Sequence, residues 1–145
     1  MSERIIRIFI SHSWDYEKHY KTLSSWIFGE NWSSGQARLK FEDYSVPRND
    51  PIHTRGSDEE LENRIFARIA LSHVIVIPTG MYASHSKWIK KEIAGAKGYK
   101  KPILGVNPWG QERRSVFVKK AAKEIVGWNK EVVVKKIWQF YSSNQ

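Results

Sequence analysis

Trp88 and Glu92 lie one helical turn apart in a segment that follows the apolar run at residues 74–77. A carboxylate beside a large aromatic ring, close to the end of a buried strand, is a setting that suits the chemistry of sugars. We therefore predict that Glu92 is a catalytic residue. The ordinary alternative is a glutamate on the surface of a helix, paired with Lys87 or Lys91, and the pattern alone favours that alternative.

A second polar group, Ser11-His12-Ser13, follows the apolar run at residues 5–10. Its hydroxyls, its imidazole and the free backbone N–H groups of a following helix suit the binding of phosphate. Ordinary helix capping by serine explains the same residues. A nucleophilic Ser–His pair is disfavoured, because neighbouring residues rarely face each other and the glycines of a nucleophile elbow are absent.

Asp43 and Tyr44 end the next apolar run, and Asp50 and His53 follow in a long loop. These side chains could line the wall of a crevice, and a polar strand end explains them equally well. No metal is expected, since the five histidines fit neither HExxH nor paired-ligand spacing. Phosphate-loop motifs of the forms GxxxxGK[ST] and GxGxxG are absent.

The elements that must position these residues alternate along the chain. Apolar runs predict strands at 5–10, 39–46, 73–78, 103–106 and 124–127. Apolar residues at helical spacing predict the intervening helices, with a weaker pattern at 116–123. The buried stripes are Tyr16, Tyr20, Leu23 and Ile27; Leu61, Ile65 and Ile69; Ile89, Ile93 and Ala96; and Val133, Ile137 and Phe140. The predicted caps are Ser13 or Asp15, Ser57 with Glu60, Ser84 or Ser86, and Asn129.

This alternation predicts an α/β fold, a three-layer sandwich with a parallel sheet of order 2-1-3-4-5 and helices on both faces. In such a sheet the ligand crevice lies outside the carboxyl ends of the strands, where the order reverses. Segments 9–14, 43–50 and 78–82 meet there, and Glu92 lies on the helix that leaves the last of them. Phospho-receivers and flavodoxins share this architecture, but the residues that end the strands suit neither.

Composition narrows the class of protein further. The chain has 145 residues, of which 41% are apolar, and we expect one domain over 1–145. It lacks cysteine, which fits a reducing compartment, and it has no apolar stretch of the ~20 residues that span a bilayer, so we expect a cytoplasmic protein without a membrane partner. The net charge of +9 is spread over short basic pairs on predicted helix faces, and because no recognition motif accompanies it, we do not expect nucleic acid as a partner.

Several of these segments together resemble a known family. Residues 9–14, Phe-Ile-Ser-His-Ser-Trp, are similar to the opening box of TIR domains, and residues 88–92, Trp-Ile-Lys-Lys-Glu, are similar to their tryptophan-to-glutamate box. The likeness is greater to the bacterial and archaeal TIR-like branch that includes the TIR-like subunit of Thoeris anti-phage systems. The segments that carry it are 43–47, 50–53, 80–82, 101–110 and 127–129.

The resemblance implies a flavodoxin-like (TIR-like) sheet and, in active members, cleavage of the nicotinamide–ribose bond of NAD, often with cyclisation to a signalling nucleotide. Glu92 matches the position of the catalytic glutamate. The residues implied in the nucleotide pocket are Phe9, Ser11, His12, Asp43, Tyr44, Pro47, Asp50, His53, Tyr82 and Trp88. Ile89 replaces a common cysteine, and residues 46–53 lack the loop pattern of receptor TIR domains, which weighs against receptor-style scaffolding more than against catalysis.

Three functional hypotheses follow. The first is an NAD-consuming enzyme of anti-phage defence, with NAD as substrate and no permanently bound cofactor, which makes a cyclic ADP-ribose-type signal for a separate nucleotide-sensing effector and can self-associate. The second is a catalytically silent TIR-like interaction module. The third is a binder of nucleotides or nucleic acid.

Overall fold

The computed structural model describes residues 2–11, 17–45, 58–79, 86–107 and 116–143. Within these ranges six strands and five helices follow one another. The strands are β1 (Ser2–Ile10), β2 (Trp32–Ser34), β3 (Ala37–Asp43), β4 (Val74–Pro78), β5 (Ile103–Asn107) and β6 (Glu124–Gly127). The helices are α1 (Glu17–Phe28), α2 (Asp58–Leu71), α3 (Ser86–Gly98), α4 (Val116–Ala121) and α5 (Lys130–Ser143).

The strands form one sheet of order β2-β3-β1-β4-β5-β6. Apart from β2, neighbouring strands are parallel, so the predicted order of the five parallel strands is confirmed. The short strand β2 was not predicted; it pairs antiparallel with β3 at one edge. Gly35, with a φ of 58°, provides the left-handed conformation in the tight turn between these two strands. Three residues are too few to show the alternation that reveals a strand.

Side chains of β1 alternate between two hydrophobic cores. Ile6, Ile8 and Ile10 pack with α1 and α5 on one face of the sheet. Phe9 packs with α2, α3 and α4 on the other. β4 is buried along its whole length, as predicted for a central parallel strand. The predicted apolar stripes of the helices lie in these cores: Leu23 and Ile27; Leu61, Ile65 and Ile69; Ile89, Ile93 and Ala96; and Val133, Ile137 and Phe140.

Local signals fix the ends of two helices. α3 ends at Gly98, as predicted, and α5 begins after Asn129, whose side-chain oxygen accepts a hydrogen bond from the Val132 N–H at 3.1 Å. The predicted caps Ser13, Asp15, Ser57 and Ser84 lie outside the described residues.

Helices α2 and α3 pack closely at Gly95, where a Cβ atom would lie 2.8 Å from Cδ1 of Phe66. This contact fixes the position of α3 and hence of Glu92. Among the helices of the described ranges, none is long and apolar enough to cross a bilayer.

Candidate functional site

Glu92 is buried, with 5% of its surface exposed. The stripe of Ile89, Ile93 and Ala96 seats α3 on the sheet, and Glu92, at the border of that stripe, is enclosed with it. Lys91 does not pair with Glu92; its ammonium group lies 2.6 Å from Glu62 on α2. The structure therefore rejects the alternative of a surface glutamate paired with Lys91.

Ser11 is the partner that the structure gives to Glu92. It follows β1, is itself buried, and is held by the hydrogen bond from its backbone N–H to the Val76 carbonyl at 2.8 Å. Its hydroxyl donates a hydrogen bond to the Glu92 carboxyl group. The predicted proximity of Glu92 to the exit of the first strand is thus observed.

The second carboxyl oxygen of Glu92, Oε2, is buried and has no hydrogen-bond partner among the described residues. Leaving a buried acceptor unpaired costs about 1–3 kcal/mol, more for a charged group. Buried polar atoms are seldom left in this state unless they serve function or bind a solvent molecule or ligand. Oε2 is therefore the atom at this site best suited to interact with a substrate.

Burial raises the pKa of Glu92 to about 7, although the hydrogen bond from Ser11 lowers it in part. At neutral pH both protonation states are accessible, so the group can give or take a proton. A cationic ligand beside the carboxylate would favour the ionised form. The site is thus able to support both proton transfer and the stabilisation of positive charge.

Asp43 lies at the end of β3 and turns toward α1, on the face of the sheet opposite to α3. It accepts hydrogen bonds from the Tyr20 hydroxyl and from the Ser45 N–H, the latter at 2.9 Å. Burial and the Asp43 hydrogen bond raise the pKa of Tyr20 well above its usual value. Ser45 in turn accepts the Ile10 N–H at 2.8 Å. Asp43 thus supports the exit of β1, and its contact with a substrate stays a prediction.

The other predicted site residues are only partly described. Phe9 is buried in the core under α2 and α3, and the Tyr44 ring lies beside Arg7 and Arg68. Trp88 lies on α3, but its side chain is outside the described part of the structure. His12, Pro47, Asp50, His53 and Tyr82 also lie outside the described residues.

Thr79, within the predicted crevice segment 78–82, and Asn107, which the sequence analysis did not assign to the crevice, are further candidate site residues. They follow β4 and end β5, and the alternation of side chains puts both on the α3 face, with Ser11. The Thr79 hydroxyl is 3.0 Å from Oδ1 of Asn107, which orients the amide and leaves its N–H groups to donate elsewhere. Gly105 makes room for this pair, since a Cβ there would lie 3.0 Å from Thr79. The signal that could have revealed them is a polar residue ending each buried strand.

No group of three histidine, aspartate or glutamate side chains is placed to hold a metal ion within the described ranges. A groove of about 590 Å³ lies at the β2–β3 edge, lined by residues such as Phe28, Trp32 and Arg38. It contains none of the predicted site residues, so we place the candidate site at Glu92.

The comparison with protein families identifies the chain. Residues 9–113 match the family model described as Thoeris protein ThsB, TIR-like domain. The chain belongs to this family. The match begins at the end of β1 and extends past β5, and it includes Ser11, Thr79, Glu92 and Asn107.

Solved structures confirm the fold. The CMP N-glycosidase BcmB of Clostridium botulinum is similar over 92% of this chain and 98% of its own, with 13% identity and a TM-score of 0.52. The apo form of translation elongation factor SelB from Methanococcus maripaludis is similar over 98% of this chain, with 12% identity and a TM-score of 0.56. This chain covers only 34% of SelB. At these identities both likenesses show the fold alone, and no curated protein matches the chain.

Proposed function

We propose that this TIR-like protein of the ThsB family cleaves the nicotinamide–ribose bond of NAD, with Glu92 as the catalytic residue. The observation that carries the proposal is the buried carboxyl group at the reversal point of the sheet, with one oxygen held by Ser11 and Oε2 unpartnered among the described residues.

The reaction asks little of the protein. The bond between the ribose C1′ and the nicotinamide nitrogen breaks with its electron pair going to the ring nitrogen, so nicotinamide leaves as a neutral base and needs no general acid. Positive charge develops on the ribose, and an ionised Glu92 stabilises it. The cationic substrate itself favours that ionised form by lowering the pKa of the carboxyl group.

Capture of the ribose completes the reaction. Water gives ADP-ribose and one proton, whereas a nucleophile within the dinucleotide gives a cyclic product and one proton. A carboxylate whose pKa is about 7 can accept that proton at neutral pH. We propose the cyclic product, which would act as a signal to a nucleotide-sensing effector in anti-phage defence.

Ser11, Thr79 and Asn107 supply hydrogen-bonding groups for the ribose. They end three neighbouring strands on the same face, and a sugar needs donors and acceptors for its hydroxyls. Asn107, oriented by Thr79, is the side chain we assign to that contact. Orientation of this kind lowers the entropic cost of reaching the reactive geometry.

The proposal is tested by incubating the pure protein with NAD and following nicotinamide release, with mass analysis of the second product. We expect turnover by the wild type and a loss of at least 100-fold in Glu92→Gln, about the effect of removing an electrostatic catalytic group. Glu62→Gln is the matched control, because it makes the same chemical change next to α3 on a partly exposed ion pair. CMP is included as a second substrate, since the fold is shared with a CMP N-glycosidase.

Equal turnover by wild type and Glu92→Gln would contradict the assignment of Glu92. The competing function is a silent interaction module, and it predicts self-association or partner binding with no nicotinamide release at any protein concentration. Release of cytosine from CMP, without release of nicotinamide from NAD, would support the role of the carboxylate and show that CMP, not NAD, is the substrate.

A further inference from the structure

A second polar site lies on the same face of the sheet, at Tyr44. The guanidinium carbon of Arg7, on β1, is 5.6 Å from the centre of the Tyr44 ring, and that of Arg68, in the last turn of α2, is 5.9 Å from it. The Tyr44 N–H donates to the Ile8 carbonyl at 2.8 Å, which fixes the base of the ring. Two cations are thus held beside one aromatic side chain.

One donor of this cluster has no partner in the described part of the chain. Nε of Arg7 is buried and has no hydrogen-bond partner among the described residues. Neither Arg7 nor Arg68 forms an ion pair in the described part of the chain. An unpaired buried donor is costly, and two like charges at one ring repel each other. An anion bound between them would relieve both costs.

The surrounding charges favour an anion. Glu42 is the neighbour of Arg7 in the register between β1 and β3, and Lys40 is the corresponding neighbour of Ile5. His73 lies beside the backbone of Arg7: its Nδ1 accepts the Arg7 N–H, and burial, then the charges of Arg7 and Lys101, lower its pKa. On this face of the β1–β3 pair, Arg7, Arg38 and Lys40 lie with the carboxylates of Glu3 and Glu42, and Arg68 joins them from α2. Four cationic side chains therefore stand against two carboxylates.

We propose that Arg7 and Arg68, held by Tyr44, bind a phosphoryl group of a small phosphorylated ligand. A guanidinium group offers parallel N–H donors that match two phosphate oxygens, and stacking on an aromatic ring orients it for that contact. The inference does not depend on Glu92 being catalytic. Arg7 and Ser11 are four residues apart on one face of β1, roughly 13 Å at the rise of a strand. The phosphoryl group can belong to the dinucleotide substrate or to a separate ligand.

The test is calorimetric titration of the full-length protein at constant ionic strength with inorganic phosphate, pyrophosphate and NAD, the last on the Glu92→Gln background to prevent turnover. We expect Arg68→Gln to weaken binding of pyrophosphate about 10- to 100-fold, the range for a hydrogen bond to a charged group. Arg38→Gln, which removes an exposed arginine from β3, should change it less than twofold.

Tyr44 gives a second and more specific comparison. Tyr44→Phe keeps the ring and should keep the affinity for pyrophosphate, whereas Tyr44→Leu removes the platform and should weaken it. Thermal unfolding of each variant without ligand shows that the fold is intact, so that a loss of affinity reports on the site.

The ligands distinguish the source of the phosphoryl group. If Arg68→Gln weakens both NAD and pyrophosphate, the site holds the diphosphate of the dinucleotide. If it weakens pyrophosphate or phosphate and leaves NAD unchanged, the site belongs to a separate phosphorylated ligand. The proposal is overturned if no phosphate compound binds, or if Arg38→Gln reduces affinity as much as Arg68→Gln.

Discussion

At the scale of the residue, the central feature is one carboxyl group with two unlike oxygens. One accepts the Ser11 hydroxyl, and Oε2 has no partner in the described structure. Burial has a cost that depends on protonation, because only the ionised form loses strong hydration. Glu92 therefore affects both the stability of the fold and its proposed activity, and the two effects can be measured separately.

Replacing Glu92 with glutamine should stabilise the protein at high pH. The pKa of Glu92 is about 7 in the folded state against 4.5 for an unperturbed glutamate, so the folded state holds its proton more tightly. That contribution to stability is fully present below pH 4.5 and is lost as the pH rises through 7. At pH 8 the difference between these two pKa values corresponds to about 3 kcal/mol, which Glu92→Gln avoids.

Urea unfolding of both proteins at pH 5 and pH 8 measures this difference. The gain in unfolding free energy of Glu92→Gln over the wild type should be greater at pH 8 by a few kcal/mol, and Glu62→Gln should show no such change. A difference between wild type and Glu92→Gln that is the same at both pH values would show that the carboxyl group is not buried as described.

Replacing Ser11 with alanine should move the pH dependence of NAD cleavage. The hydroxyl lowers the pKa of Glu92, so its loss raises that pKa further, and ionisation then needs a higher pH. We expect the acidic limb of the rate profile to move to higher pH. Ser45→Ala is the control: it removes the acceptor of the Ile10 N–H and should reduce stability without moving the limb. Superimposable pH–rate profiles for Ser11→Ala and wild type would show that this hydrogen bond does not influence the titration of Glu92.

At the scale of the element, α3 carries the site, and its position depends on how closely it packs on α2. Gly95 faces Phe66 at a separation that leaves no room for a side chain. The ion pair of Lys91 with Glu62 joins the same two helices nearer the surface. Partly exposed pairs of this kind contribute little, so the close apolar contact is the main determinant of the helix position.

Gly95→Ala should therefore destabilise the protein and reduce activity together. Its Cβ would lie 2.8 Å from Cδ1 of Phe66 and 3.2 Å from Cδ1 of Ile69, so we expect these side chains or α3 itself to shift. Overpacking of this kind costs about 1–3 kcal/mol. Gly98→Ala, in the same helix, meets no heavy atom of the described residues within 4 Å and should be neutral or slightly stabilising. Thermal unfolding and nicotinamide release measure the two effects, and equal behaviour of the two variants would contradict the packing argument.

At the scale of the whole molecule, the order of the sheet places the chemistry. β1 lies between β3 and β4, so the chain leaves β1 at the point where the order reverses, and Ser11 meets Glu92 there. On the opposite face, α1 and α5 pack against the sheet. There the hydrogen bond between Tyr20 and Asp43 supports the segment that leaves β1. Arg7 and Arg68 meet at Tyr44 on the α2 face, where we propose that a phosphoryl group binds.

The pH dependence of global stability should contain a second component from His73. Burial, then Arg7 and Lys101, lower the pKa of His73, and its neutral Nδ1 accepts the Arg7 N–H at 2.9 Å. A base with a lowered pKa in the folded state contributes stability that is present above its ordinary pKa of 6.5 and is lost as the pH falls through the folded value.

On the Glu92→Gln background, titration of His73 should lower the free energy of unfolding, measured in urea, between pH 6.5 and pH 5. Adding His73→Asn should reduce that loss. That background removes the opposite slope of the carboxyl group. A stability curve with the same slope in both proteins over this interval would show that His73 does not titrate with folding.

The sequence by itself determined the succession of strands and helices, the order of the parallel strands and the stripe that seats α3, because hydrophobic periodicity and the handedness of crossovers fix these. Its short boxes around Ser11 and Glu92 also indicated the family that residues 9–113 confirm.

Only the tertiary structure decided which side chains meet. Periodicity gives the face of an element on which a residue lies, but burial and hydrogen-bond partners depend on the element that packs opposite. Thus Glu92, at the border of its stripe, proved buried against Ser11 and not paired with Lys91, Asp43 turned toward α1, and Arg7 and Arg68 came together at Tyr44 from distant parts of the chain.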